Sequence, residues 1–467
     1  MAIRGAGPGW LIACVSFALV ALLAGCRSRR LPTDSTAIVL RDVTVIDGTG
    51  APPRAHQSVV LLGELIERIG PVAEVEIPSG AQVRELPGRY VIPGLVDLHV
   101  HLPSDRAVQE AILARLLEFG ITTIFNPGAR SDAGVELRGR LARGEVQGPR
   151  MLSAGRIVDF DPPTSGIAHW AGIVGDEVAM RREVREQVAS GVDFVKFYEN
   201  LPPELLEAGV DEARRAGVPV VAHTGATTWA EAARAGVSML VHSGYGMPME
   251  SLMDVADPAP LSDADWYQAY ADAPQGRTFA QLCRLLVERD VTVVPTLSIS
   301  QAASLGRDAT LLPLFRVELA PDAEIDDWWS PGWRTRHPQY GDVEPEEHAL
   351  LEEVYFPAML GIARAFHERG VRLGAGSDVG NSWMTPGVSL HHELRLLQQA
   401  GIPPREVLEI ATRQGAQALG LEAELGTLEA GKLADLVVLL ADPGEDVRAC
   451  AEIESVYLSG RLQLRPR

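Results

Sequence analysis

The sequence predicts an α/β fold of the (β/α)8, or TIM-barrel, class, with a small β unit contributed by both ends of the chain. Three observations lead there. Eight apolar runs fall between residues 91 and 378, helix-like segments separate most of them, and strand texture returns near the two termini.

In chain order, the first 26 residues stand apart. Arg4 supplies a positive leader, and residues 10–25 (WLIACVSFALVALLAG) are apolar. That run is short for a bilayer span, which needs about 20 residues. It ends in LAGC, with Cys26 last. The pattern resembles a bacterial lipoprotein signal, in which Cys26 becomes the lipidated first residue and carries the chain to a membrane. Arg27 in the next place implies the outer membrane, facing the periplasm, rather than retention at the inner one. A plain signal peptide or a short anchor is the alternative. Residues 27–36 (RSRRLPTDST) read as a polar tether. The two other cysteines, Cys283 and Cys450, lie on different predicted elements, and no disulfide is expected between them.

Residues 37 to about 90 read as short strands. AIVLRDVTVIDGTG alternates and turns at Asp47-Gly48, and SVVLLGELIERIG repeats the theme. The eight apolar runs then follow: 91–101, 120–126, 149–154, 192–198, 218–223, 238–242, 291–297 and 371–378. AVQEAILARLLEFG and PPELLEAGVDEARRAG carry the 3.6 period and stop at glycine, as helices do. Two more helical stretches lie near 388–400 and 404–419, before strand texture resumes. The long connections 243–277 and 298–346, rich in acids and holding Trp266, Trp328, Trp329 and Trp333, are expected to wall a site or to pack on themselves.

Composition narrows function. Hydrophobic residues make up 46% and charged residues 22% of the chain, enough for a sizeable core. The net charge of −20 argues against nucleic acid, whose phosphates require clustered Lys and Arg.

Barrel active sites lie at the carboxyl ends of the strands, so the polar residues there carry the chemistry. The first run ends with His99 and His101, the fourth holds Lys196, the fifth and sixth end with His223 and His242, and the eighth ends with Asp378. Strand side chains alternate, so His99 and His101 face one way and can share an ion. Imidazole with carboxylate suits zinc or a related divalent ion. Lys196 is odd among metal ligands. It reads either as an ion-pair partner or as a carbamate, formed when the neutral amine takes up carbon dioxide and becomes anionic. Tyr198, two residues on, faces the same way and reads either as a hydrogen-bond donor to substrate or as a packed aromatic. Tyr245 and His169, in loops after the sixth and third strands, are further substrate-binding candidates. His391 and His392 fall on a later helix without metal spacing, and His56, His337, His348 and His367 read as surface or loop residues.

The stretches VIDGTG, VIPGLVDLHVHL, VKFY, PVVAHTG, VHSG, GAGSD and ATRQGAQALGLEAELGTLEAGKLADLVVL together resemble the amidohydrolase superfamily, specifically its imidazolonepropionase-like and prolidase-like metal-dependent hydrolases. The resemblance implies that the small β unit is a β-sandwich. After the lipoprotein signal (1–26) and tether (27–36) read above, it divides the chain into an amino-terminal sandwich segment (37–92), a metal-dependent hydrolase barrel (93–422) and a carboxyl-terminal sandwich segment (423–467). It implies that His99, His101 and Asp378 hold a buried ion, that His223 and His242 hold a second, and that carbamylated Lys196 bridges them. It also implies amide hydrolysis by a hydroxide held between two divalent ions, expected to be zinc, with Asp378 as proton carrier. Dipeptides, acylated amino acids and cyclic amides are the substrate classes. An ester or lactone hydrolase on the same site, and a lipid-anchored binding protein without turnover, are the alternatives. TTIFNPGA at the second strand departs from the RD character expected there, which leaves substrate detail open. Imidazolonepropionases proper lack the bridging lysine, which argues against that particular activity.

Overall fold

The computed structural model describes residues 36–129, 132–164, 171–243, 251–252, 261–304, 344–381 and 383–464. Cys26 with the leader and tether up to residue 35, His169 and Tyr245 lie outside the described residues, as do large stretches of the long connections. No helix among the described residues is long and apolar enough to cross a membrane.

Both chain ends join one seven-stranded sheet. Strands β1 (Ile38–Val45), β2 (Arg54–Leu62), β3 (Leu65–Pro71) and β4 (Gln82–Pro93) come from the amino-terminal side. The carboxyl-terminal segments β15 (Leu436–Leu439), β16 (Ile453–Leu458) and β17 (Arg461–Leu464) complete it in the order β17-β16-β15-β4-β1-β2-β3. Only β1 and β4 run parallel; the other pairs are antiparallel. One face buries Leu40, Val59, Ile66, Val91, Leu436 and Tyr457 together.

The remaining strands are short and parallel. They are β5 (Leu95–Asp97), β6 (Ile121–Asn126), β7 (Arg150–Ser153), β8 (Val158–Phe160), β9 (Gly172–Val174), β10 (Val195–Phe197), β11 (Val220–Ala222), β12 (Met239–Val241), β13 (Thr292–Val294) and β14 (Arg372–Leu373). Pairing runs β5-β6-β7 and, separately, β10-β11-β12-β13-β14. Parallel bridges connect the two sets at both ends, Ala154 to Phe194 and Val100 to Val379. The circuit of pairings therefore returns to its first strand. A buried cluster joins Val96, Phe125, Ala154, Val221, Met239 and Val294 from six of its segments.

Helices fill the connections: α1 (Arg106–Glu118), α2 (Ala133–Ala142), α3 (Glu177–Ser190), α4 (Pro203–Arg215), α5 (Trp229–Ala235), α6 (Asp263–Asp272), α7 (Arg277–Glu288) and α8 (Leu297–Ser304), followed by later helices that include Val388–Gln399. Their starts and stops follow local chemistry. Asp105 caps α1, a Thr228–Glu231 capping box opens α5, and Gly120 and Gly217 take φ of 74° and 72° just past α1 and α4.

Two expectations need correction. The run 91–101 is not one strand: it ends one sheet at Pro93 and begins the next at Leu95. Gly94 is the joint, because a Cβ there would lie 2.0 Å from Thr122 Oγ1. Its amide donates to the Asp435 carbonyl at 2.9 Å, tying the change of sheet to β15. Strands β8 and β9 are additional, formed after the third apolar run and paired on β10 through Val158 and Phe197. Cys283 and Cys450 are free and buried, and burial pushes both thiols up to about 12.

Candidate metal centre

The parallel strands bring together all six of the ionisable residues singled out above for metal binding. His99 and His101 follow β5, Lys196 lies within β10, His223 follows β11, His242 follows β12 and Asp378 follows β14. His99, Lys196, His223, His242 and Asp378 are buried, and His101 is partly so.

The tightest group is His99, His101 and Asp378, whose donor atoms lie within 4.8 Å of one another. The two Nε2 atoms are 3.2 Å apart, and Asp378 Oδ1 lies 3.4 Å from the first and 3.8 Å from the second. His101 Nδ1 faces the Gly128 carbonyl at 3.4 Å. A carbonyl only accepts, so Nδ1 carries the proton and Nε2 keeps a lone pair for the centre. Burial, with neighbouring positive groups, lowers His99 well below the usual imidazole range and lowers His101 to about 4. Both rings are therefore neutral at physiological pH, the state that ligates a metal.

The second pair stands beside this group. The His99 and His242 ring centroids are 4.8 Å apart, and those of His223 and His242 are 4.4 Å apart. Asp378 Oδ2 is 3.9 Å from His242 Nδ1. Burial also holds His242 well below its ordinary value. Lys196 Nζ is buried with no hydrogen-bond partner. Burial lowers it to about 7, against the upward pull of Asp378 and Glu199. An orphaned amine among imidazoles is a costly arrangement unless it is neutral or modified.

Asp378 itself is pushed up to about 7 by burial, and its Oδ1 accepts from Asn381 Nδ2 at 2.8 Å. Beneath the centre, Asp97 is also pushed up to about 7 by burial, and its Oδ1 accepts from the amides of His99 and Ser377 at 3.1 and 2.9 Å. That carboxylate fixes the backbone of two strand ends at once. Tyr198 packs edge-on against His223, with centroids 4.9 Å apart. His391 and His392 stay away from the centre, bonded to the Phe119 carbonyl and to Gln301.

Four residues escaped the sequence reading. Asn381 and Glu199 follow singled-out residues closely in sequence, Glu199 Oε1 lying 3.4 Å from His223 Nε2. Thr296 and Glu393 gave no local signal, because they act on residues far along the chain. The backbone is strained here too: His242, Thr296 and Asp378 have φ of 66°, 49° and 57°. Such conformations concentrate at functional sites.

A cavity of about 610 Å³ adjoins His101 and is bordered by Asn126, Gly380, Arg106, Gln109 and Arg140. Gly380 has φ of 116°, and a Cβ on it would lie 2.5 Å from His101 Cβ. Gly380→Ala is expected to displace His101 and destabilise the fold by roughly 1–3 kcal/mol. Thermal unfolding checks this, and an unchanged Tm would refute it.

The Amidohydrolase family model matches residues 90–303 and 348–462. The chain is 25% identical over 425 residues to the imidazolonepropionase of Erwinia tasmaniensis, covering 87% of this chain and 91% of that one. It is 28% identical over 189 residues to the adenine deaminase of Rubrobacter xylanophilus, where the match spans only 38% of this chain and 30% of the relative. Among solved structures, a bottromycin amidohydrolase superposes with TM-score 0.68 at 25% identity, covering 91% of this chain and 86% of that one. A Xaa-Pro dipeptidase with methionine bound in its active site shares the fold, with TM-score 0.68 and 21% identity over 91% of this chain and 99% of that one. The matched segments span well over half of the sequence and carry every residue of the centre, and on that ground the chain belongs to the amidohydrolase family of enzymes acting on carbon–nitrogen bonds.

Proposed function

We propose that this protein is a metal-dependent hydrolase of amide bonds, acting on dipeptides, acylated amino acids or cyclic amides. One observation carries the reading: three neutral or acidic donors, from His99, His101 and Asp378, converge beside a buried lysine nitrogen that has no partner. The donors fit divalent metal. His99, His101 and Asp378 would hold one ion, His223 and His242 a second, and Lys196, as its carbamate, would join the two. Two such ions, zinc being well suited to imidazole and carboxylate, would supply a nucleophile at neutral pH and polarise the scissile carbonyl.

The chain's own residues do the rest. Asp378 would take a proton at its carboxylate and return it to the leaving amine. Tyr198, whose ring packs on His223, would donate to a developing oxyanion or a substrate carboxylate, with His169 and Tyr245 as further substrate contacts. The cavity beside His101 is bordered by Arg106, Arg140 and Glu136, a mixed lining that suits the charged ends of a dipeptide. In architecture, we read the circuit of parallel pairings as a closed (β/α)8 barrel spanning 93–422, and the mixed sheet as the sandwich unit of 37–92 and 423–467. We also propose export and lipid anchoring through Cys26, supported by Arg4, the apolar run 10–25 and the LAGC ending.

Metal analysis with a screen of amide substrates tests the function. The expected result is two ions per chain and turnover abolished by a chelator. Ester or lactone turnover alone would move the reading to the second activity of the same site. Tight ligand retention without any turnover would overturn catalysis in favour of a binding protein.

A further inference from the structure

His242 Nδ1 lies 2.7 Å from Thr296 Oγ1. The Thr296 hydroxyl donates its single proton to the Pro295 carbonyl at 2.8 Å. With its proton on that carbonyl the hydroxyl accepts from the ring, an arrangement that assigns the proton to Nδ1 of His242. Nε2 is left as a lone pair.

The position of Thr296 is costly. A β-branched residue at φ 49° is an outlier that glycine or asparagine would relieve. Strain of this kind persists only where the surroundings over-determine it. Here they do. Glu393, fully buried on the helix Val388–Gln399, accepts from the amides of Leu297 and Ser298 at 2.9 and 2.7 Å and from Ser298 Oγ at 2.8 Å. Those are the first two amides of α8, donors that a helix start leaves without an intrahelical acceptor. The carboxylate thus seats the turn immediately after Thr296, while the chain before Thr296 continues from β13.

We propose that Thr296, seated by Glu393, is a positioning residue that fixes His242 as its Nδ1-protonated tautomer with Nε2 presented as the donor. The assignment of the tautomer stands on these hydrogen bonds alone; its consequence for a second ion rests on the two-ion reading above. Partners of this sort orient ligating imidazoles and raise their basicity, and losing one typically costs about 10–100-fold in metal affinity.

Thr296→Val keeps the shape and the strain and removes only the hydroxyl, whereas Thr296→Ser keeps the hydroxyl. Nitrogen-15 NMR of labelled, metal-free protein reads the tautomer, and zinc titration reads the ions. Wild type and Thr296→Ser are expected to show Nδ1-protonated His242, and Thr296→Val a mixed or reversed tautomer. Glu393→Gln, with a single acceptor for three donors, is expected to shift the tautomer part of the way. For zinc, Thr296→Val is expected to weaken the second ion about 10–100-fold and spare the first. A wild-type His242 protonated on Nε2, or a valine variant with unchanged tautomer, overturns the proposal. Correct tautomers with only one ion bound by wild type would instead sink the two-ion reading and leave the positioning role standing.

Discussion

Lys196→Ala is expected to lower turnover by about 10–100-fold and to reduce the bound metal below two ions per chain, with partial rescue by acetate or propionate. Lys196 is about 1% exposed, and as a cation it would depress His99, His101 and His242 around it. Burial already brings its ammonium down to about 7. At neutral pH a large fraction of the amine is therefore free to attack carbon dioxide. Under the proposed carbamylation a nitrogen–carbon bond would form, one proton would leave, and the site would gain an anionic carboxylate in place of a cation. A short carboxylic acid can occupy the space left by alanine and supply the same oxygens.

The pH dependence has a definite sign. Below about 7 the neutral fraction of the amine falls tenfold per pH unit, so metal reconstitution in bicarbonate should slow there and level off above. In metal-free, unmodified protein the folded value of about 7 lies below the ordinary value of 10.5. The unfolded chain then holds more protons between those limits, and the Lys196 contribution to stability improves as pH rises through that window. Full two-ion occupancy in the alanine variant would remove the bridging role.

How far the site could be read from sequence depended on the range of the interaction. His99 and His101 were legible because strand alternation puts residues two apart on one side, and Lys196, His223, His242 and Asp378 because each sits at or near the end of an apolar run. The apolar runs themselves marked the parallel strands well, since strands covered on both faces are nearly continuous in hydrophobicity. The change of sheet at Gly94 was not legible, because the run 91–101 is buried in both sheets and its break comes from contact with Thr122 and Asp435. Strands β8 and β9, three residues each, are too short to show a period. Thr296 and Glu393 were missed for a different reason: Thr296 meets His242 54 residues away, and Glu393 meets Ser298 95 residues away. No local pattern encodes such pairs.

Asp378→Asn separates the chemistry of the centre from its architecture. Asparagine accepts the left-handed backbone that Asp378 adopts at φ 57°. Its amide oxygen can still accept from Asn381 Nδ2, so the strand end should keep its place. On the proposed function, what would be lost is an anionic ligand and the carrier of a proton. Turnover is expected to fall by about 10²–10⁴-fold, the usual worth of a positioned general acid–base group, with further loss if metal is released. Stability should move the other way. Burial raises the Asp378 carboxyl from 3.8 to about 7, so in metal-free protein the folded state holds more protons than the unfolded chain across that window. Its contribution to stability therefore declines as pH rises from about 4 to 7. The asparagine variant carries no such group, so its metal-free form should lose part of that slope and unfold at a higher temperature than wild type at pH 7. A site built around a strained, buried acid sacrifices stability for function in this way. Turnover within tenfold of wild type would remove Asp378 from the proton path, and a lower Tm at pH 7 would mean that the carboxylate holds the strand ends together rather than straining them.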